Sequence, residues 1–191
     1  MDFNDFLIYI TILLQFGVIT WVFIRTLIVI TSLFSDVPYV PVKRKTFKKG
    51  IEILGIQTND SVLEIGSGDG RNLLSLSKQY PNINFVGIEI HPALYLISNI
   101  KKIICRRKNI KFIKQDAYKF EEYGKFNKIF FYMYSGFSDK FMKAIEDQIK
   151  KNTEIISLVF SFGKNFQATH NIDVYDVKYI NKIQKIYRWK K

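Results

Sequence analysis

Val62-Leu63-Glu64-Ile65-Gly66-Ser67-Gly68-Asp69-Gly70 decides the reading of this chain. An apolar strand ends in an acid and runs into three alternate glycines just before a helical segment opens at Arg71. Glycines at a strand-to-helix junction accept positive φ and let backbone N–H groups approach a ligand where the helix begins. A dinucleotide fingerprint needs glycine at the sixth position counted from Gly66, and Arg71 stands there instead. Glu64 before the loop and Asp69 within it would repel a pyrophosphate but suit a ligand carrying positive charge. Glu64, Gly66, Ser67, Gly68, Asp69 and Gly70 are therefore the expected binding loop for a cationic ligand.

Spacing outward from the loop reinforces this. Phe85-Val86-Gly87-Ile88-Glu89 is a second strand ending in an acid, 23 residues after Gly66, where a carboxylate can accept hydrogen bonds from ribose hydroxyls. A third strand over 110–113 leads to Asp116. The set resembles motif I and the two following strand ends of the class I S-adenosylmethionine-dependent methyltransferases. That resemblance implies S-adenosylmethionine as cofactor and Asp116 as the partner of its adenine amino group. The rest of the chain alternates strand and helix, which predicts parallel βαβ units. Helices are expected over 46–54, 71–80, from Pro92, and over 137–150, with a fourth strand over 128–134 and a fifth over 154–162. Segments 174–179 and 183–189 alternate in strand fashion and predict an antiparallel closing hairpin. Only about ten residues separate that hairpin from the fifth strand, so the helix usual there is expected to be lost or reduced to a loop. The expected fold is α/β, a mostly parallel Rossmann-like methyltransferase sheet preceded by a transmembrane helix.

The helix is expected because residues 6–24 form 19 positions without a charge, and the apolar character continues past Arg25 to Phe34. Roughly 20 apolar residues match a hydrocarbon core about 30 Å thick. Asp2 and Asp5 precede the run, no basic leader region opens it and no small-residue cleavage site follows, which predicts an uncleaved anchor. Lys43, Arg44, Lys45, Lys48 and Lys49 follow it, so the positive-inside rule places the downstream domain in the cytoplasm. The expected organisation is an anchor at 1–34, a connector and basic helix at 35–58, and the cofactor-binding domain at 59–191. A net charge of +12 suits an anionic partner, the inner leaflet or nucleic acid alike. The single cysteine, Cys105, excludes an internal disulfide and reads as small helix packing. Two histidines, His91 and His170, are too few and too scattered for a zinc site, and no metal is expected.

The whole arrangement resembles one branch of those enzymes, with an N-terminal membrane helix, a Pro-x-x-Pro connector (Pro38, Tyr39, Pro41), a motif like Leu-Gly-Ser-Gly-Asp-Gly-Arg at 65–71, and a second strand ending Gly87-x-Glu89. Eukaryotic members of that branch are lysine N-methyltransferases of inner-membrane proteins of mitochondria, the ATP synthase c-subunit and the adenine nucleotide translocase. The resemblance implies a membrane or membrane-proximal protein substrate with an accessible lysine. The chain departs from the branch at His91-Pro92, where Asn-Pro is usual, and at Tyr132-Met133-Tyr134-Ser135-Gly136. Neither Asn-Pro-Pro-Tyr nor Asp-Pro-Pro-Tyr occurs, so base-nitrogen methylation loses support and nucleic acid is not the expected substrate. A lysine amine needs proximity and a partly dry aromatic channel, for which Tyr132 and Tyr134 are candidates. Tyr39, held between two prolines, is a candidate to close over the cofactor. Two other readings stay open: a lipid or small-molecule methyltransferase at the membrane, and a non-catalytic cofactor- or nucleic-acid-binding module.

Overall fold

The computed structural model describes residues 2–33 and 40–191, without the side chains of Arg25 and residues 27–33; Pro38 and Tyr39 lie outside the described residues. The chain divides into two compact units, Met1–Val40 and Pro41–Lys191.

In the first unit, α1 (Phe3–Leu33) is a single helix. Its 22-residue stretch Phe3–Ile24 is long and apolar enough to cross a membrane and has none of its surface buried. At 1.5 Å per residue that stretch spans about 33 Å.

In the second unit the chain order is α2 (Arg44–Leu54), β1 (Ser61–Ile65), α3 (Arg71–Gln79), β2 (Asn84–Glu89), α4 (Pro92–Ile104), β3 (Ile110–Lys114), β4 (Lys128–Phe131), α5 (Ser135–Ile145), β5 (Glu154–Leu158), α6 (Lys164–Thr169), β6 (Asp173–Lys178) and β7 (Ile183–Lys190). The sheet has seven strands in the order β3-β2-β1-β4-β5-β7-β6. β1 to β5 are mutually parallel, and β7 runs antiparallel between β5 and β6. Strand order reverses between β1 and β4, which opens a crevice at their carboxyl ends.

Period-two alternation feeds two cores. Val62, Phe85, Phe130 and Ile156 face the layer made with Phe47, Ile51 and Leu54 of α2 and Leu73 and Leu76 of α3. Leu63, Ile129, Phe131 and Ile155 face the layer made with Phe141, Met142 and Ile145 of α5 and Phe166 of α6. Burial of β1 and β5 on both sides explains their unbroken apolar runs. Gly50 lets α2 lie close on β5, since a Cβ there would come within 2.4 Å of Leu158 Cδ2.

Several expectations shift. The β5–β6 connection keeps a six-residue helix, α6, because Asp139 of α5 accepts from Phe166 N–H at 2.8 Å and from Asn165 Nδ2 at 2.5 Å. His170, just past α6, stacks on Phe166 at 3.9 Å and meets Glu146 at 2.9 Å, so it belongs to the packing beside Trp189. β4 and β5 end at Phe131 and Leu158, several residues before the predicted limits, because the chain leaves the sheet to build the site. Cys105 does not pack within a helix: it caps the end of α4 and is exposed.

Candidate active site

The glycine loop closes by local bonding. Gly66, Gly68 and Gly70 have φ of 70°, 57° and 75°, a run of left-handed residues that only glycine adopts without strain. Ser67 N–H donates to Ile88 O at 2.9 Å and Gly70 N–H to Ser67 O at 3.0 Å, which pins the loop to β2. The loop rests on Gly87, where a Cβ would sit 2.8 Å from both Ser67 and Leu73. That close approach is the physical reason for glycine two residues before Glu89. Gly70 faces inward, where a Cβ would strike the Phe112 ring at 2.5 Å, while nothing lies within 4 Å of the Cβ position at Gly66. The open side of the loop is therefore at Gly66.

Three acids of the loop region have different states. Asp69 accepts from Arg71 Nε at 2.8 Å, Arg71 Nη2 at 2.9 Å and Lys101 Nζ at 2.5 Å. Burial opposes its ionisation, but those two cations outweigh it and hold its carboxyl well below the usual range. Asp69 thus serves as a brace between the loop, α3 and α4. Glu64 is 4% exposed and has no cationic partner among the described residues. Its Oε1 accepts from Asn72 Nδ2 at 2.7 Å, and its Oε2 is buried without a hydrogen-bond partner among the described residues, as is Ser67 Oγ. Burial pushes the Glu64 carboxyl well above its ordinary value; the Asn72 bond opposes this, and the Asp69 and Glu89 carboxylates add to it. A buried carboxylate oxygen with no donor fits an ammonium group.

Glu89, 7% exposed, receives Gly68 N–H on Oε2 at 2.7 Å and His91 N–H on Oε1 at 2.8 Å. Burial raises its pKa, and the backbone donors at His91 and Gly68 counteract it. A carboxylate has about four acceptor positions, so both oxygens retain capacity for hydroxyl donors. Asp116 sits past β3, half-buried, with Oδ1 accepting Tyr118 N–H at 2.9 Å as cap of the short 3-10 helix Ala117–Lys119. Glu64, Glu89 and Asp116 therefore lie at or beyond the carboxyl ends of β1, β2 and β3, along one rim of the sheet.

At the ends of β4 and β5 an aromatic trio forms. Tyr132 stacks on Phe160 with centroids 5.3 Å apart, and Tyr134 meets the same ring edge-on at 5.9 Å. Tyr132 is half-buried and Tyr134 is 66% exposed. Burial raises the Tyr132 phenol above its ordinary value, so it stays protonated. Phe160 is aimed by Val159, whose φ of 73° places a β-branched residue in the left-handed region. Ser157 Oγ also donates to Phe160 O at 2.6 Å. Sequence reading absorbed Phe160 into an apolar strand, and neither Asn72 nor Lys101 carried any local signal. Among the described residues no group of three or more His, Cys, Asp or Glu could hold a metal ion.

The fold and this rim define a class I S-adenosylmethionine-dependent methyltransferase. Residues 64–169 match the ANTKMT methyltransferase domain, and the chain belongs to that family. A tRNA (guanine-N(7)-)-methyltransferase of Oceanobacillus iheyensis is 28% identical over 168 residues, covering 67% of this chain and 78% of that protein. A protein-lysine N-methyltransferase of Saccharolobus islandicus is 35% identical over 60 residues, 31% of this chain and 37% of the relative. An RNA methyltransferase from Salinibacter ruber in complex with S-adenosyl-L-homocysteine shares the fold, with a TM-score of 0.67 at 20% identity, over 79% of this chain and 93% of that one.

Proposed function

We propose that this enzyme is a membrane-anchored protein-lysine N-methyltransferase acting on a protein at or within the membrane. In this reading residues 1–34 are the anchor, 35–58 the connector and basic helix, and 59–191 the catalytic domain facing the cytoplasm. The observation that carries it is the aromatic trio of Tyr132, Phe160 and Tyr134 beside the cofactor rim, in a chain without the base-methylation motif.

Bound S-adenosylmethionine supplies an electrophilic methyl group on a sulfonium. Glu64 Oε2 and the open backbone at Gly66 would hold its amino-acid end, Glu89 its ribose and Asp116 its adenine; Ser67 and Gly68, whose N–H groups bind Ile88 O and Glu89, shape this site together with Asp69 and Gly70. A lysine must arrive as a neutral amine to attack, and burial against aromatic faces lowers an amine's pKa. Tyr132, protonated, would receive the lysine as an ammonium on its ring face and orient the neutral amine through its hydroxyl, and does not act as a base. The released proton passes to solvent. Tyr39 remains a proposed closing residue over the cofactor. The Saccharolobus relative's name supports the lysine reading over the aligned segment.

The Oceanobacillus relative and the +12 charge favour a second reading, an RNA acceptor. One experiment separates them. Native membranes and RNA lacking the modification are incubated with the full-length enzyme and methyl-labelled cofactor, then fractionated. Label in protein, recovered as methyl-lysine after hydrolysis, is expected; label confined to RNA or lipid would overturn the lysine assignment.

A further inference from the structure

α4 carries an apolar face that the fold does not use. Leu94 and Ser98 point inward and are buried, yet Leu96, Ile100, Ile103 and Ile104 are 59%, 47%, 73% and 73% exposed. Offsets of four, seven and eight from Leu96 place these side chains in one row along the helix. Ile90, 60% exposed, lies just before the helix. At the other end the chain turns at Arg106, φ 51°, and presents Arg106 and Lys108 to solvent. Residues 90–115 contain seven Lys or Arg and no Asp or Glu. α2 and α3 share this side of the sheet and expose Arg44, Lys45, Lys48 and Lys78.

We infer that this face of α4 docks on an anionic lipid surface, its aliphatic row entering the headgroup boundary and its terminal cations meeting lipid phosphates. An amphipathic helix with aliphatic residues on one face and Lys and Arg at its margin lies in the interface plane, drawn by buried apolar area and by anionic lipid together. Charge complementarity selects this occupant: a row of exposed aliphatics on a segment whose own charges are all cationic, ending in exposed Arg106 and Lys108, matches an apolar layer beneath a negative one. The reading draws on α1 as an anchor for proximity to a bilayer, and not on the identity of the methyl acceptor. Docking of α4 would leave the carboxyl rim of the sheet at a set height above the membrane, selecting lysines at that height.

Cys105, the only cysteine of the chain, is exposed at the end of this face and is a native reporter position. The full-length protein is labelled there with an environment-sensitive fluorophore and reconstituted into vesicles of phosphatidylcholine with or without phosphatidylglycerol and spin-labelled lipid. Blue-shifted emission, quenched several-fold more by spin-labelled lipid when phosphatidylglycerol is present, is expected. Ile103→Ser with Ile104→Ser, or Arg106→Glu with Lys108→Glu, should return quenching to the pure phosphatidylcholine level; these side chains are solvent-exposed, so the fold is retained. Resistance to carbonate extraction reads the anchor separately in the same samples. A probe that stays in water in every lipid overturns the inference, as does one shielded only when native protein-containing membranes replace pure lipid, which would assign the face to a protein partner.

Discussion

At the scale of single residues, the rim separates two carboxylates by environment. Asp69 is braced by Arg71 and Lys101 and stays ionised, so it binds no proton over the working range. Glu64 is buried, and its folded pKa is raised, which means that the apo enzyme takes up a proton there as pH falls toward and below that raised value. A cationic ligand on Glu64 Oε2 favours the carboxylate and lowers the pKa again. Binding should therefore release protons in the window from just above the ordinary glutamate range up to the raised value, and affinity should increase with pH through it. Calorimetric titration in buffers of different ionisation enthalpy measures this directly. Glu64→Gln should abolish the buffer dependence while keeping the bond from Asn72; persistence of proton release in that variant would move the titrating group elsewhere.

At the scale of elements, Val159 is the clearest strain. A β-branched residue at φ 73° carries about 1–3 kcal/mol, more than the ~1 kcal/mol of chain entropy that a glycine adds there. Val159→Gly should leave the melting temperature unchanged or higher and cofactor affinity intact, yet lower turnover several-fold as Phe160 loses its fixed pose against Tyr132. Equal turnover in the variant would detach the trio from catalysis. The elements also show where sequence was informative. The loop at 66–70 and the acid at Glu89 are legible because their geometry is local: positive φ, strand ends and a helix start occupy adjacent positions. The Phe160–Tyr132 stack and the Asp69–Lys101 brace are long-range products of strand order and leave no periodic trace, while Asn72 meets Glu64 eight positions back across the loop with no motif to mark it. Cys105 was misplaced because α4 is apolar on both its inner and outer faces, and periodicity alone does not say which one packs. The short helix α6 is held by Asp139, 27 positions before the Phe166 N–H it accepts from, beyond the reach of a local reading.

At the scale of the whole molecule, the proposed function assigns holding to a 22-residue apolar stretch and reacting to a basic α/β unit. Protease added outside sealed right-side-out vesicles should spare residues after Val40, and permeabilisation should expose them. Digestion from outside would reverse the proposed orientation. The position of β7 has a consequence for how such a molecule is made. β5 is buried on both faces, yet its second hydrogen-bonding edge is completed only by β7, the last strand in chain order. During synthesis an apolar strand must wait, one flank open, while the helix Phe3–Leu33 has long since left the ribosome. Open strand edges recruit other chains. Early capture of the leading helix by a bilayer would keep nascent chains apart in two dimensions through that interval, so a segment proposed to locate the enzyme would also guard its folding.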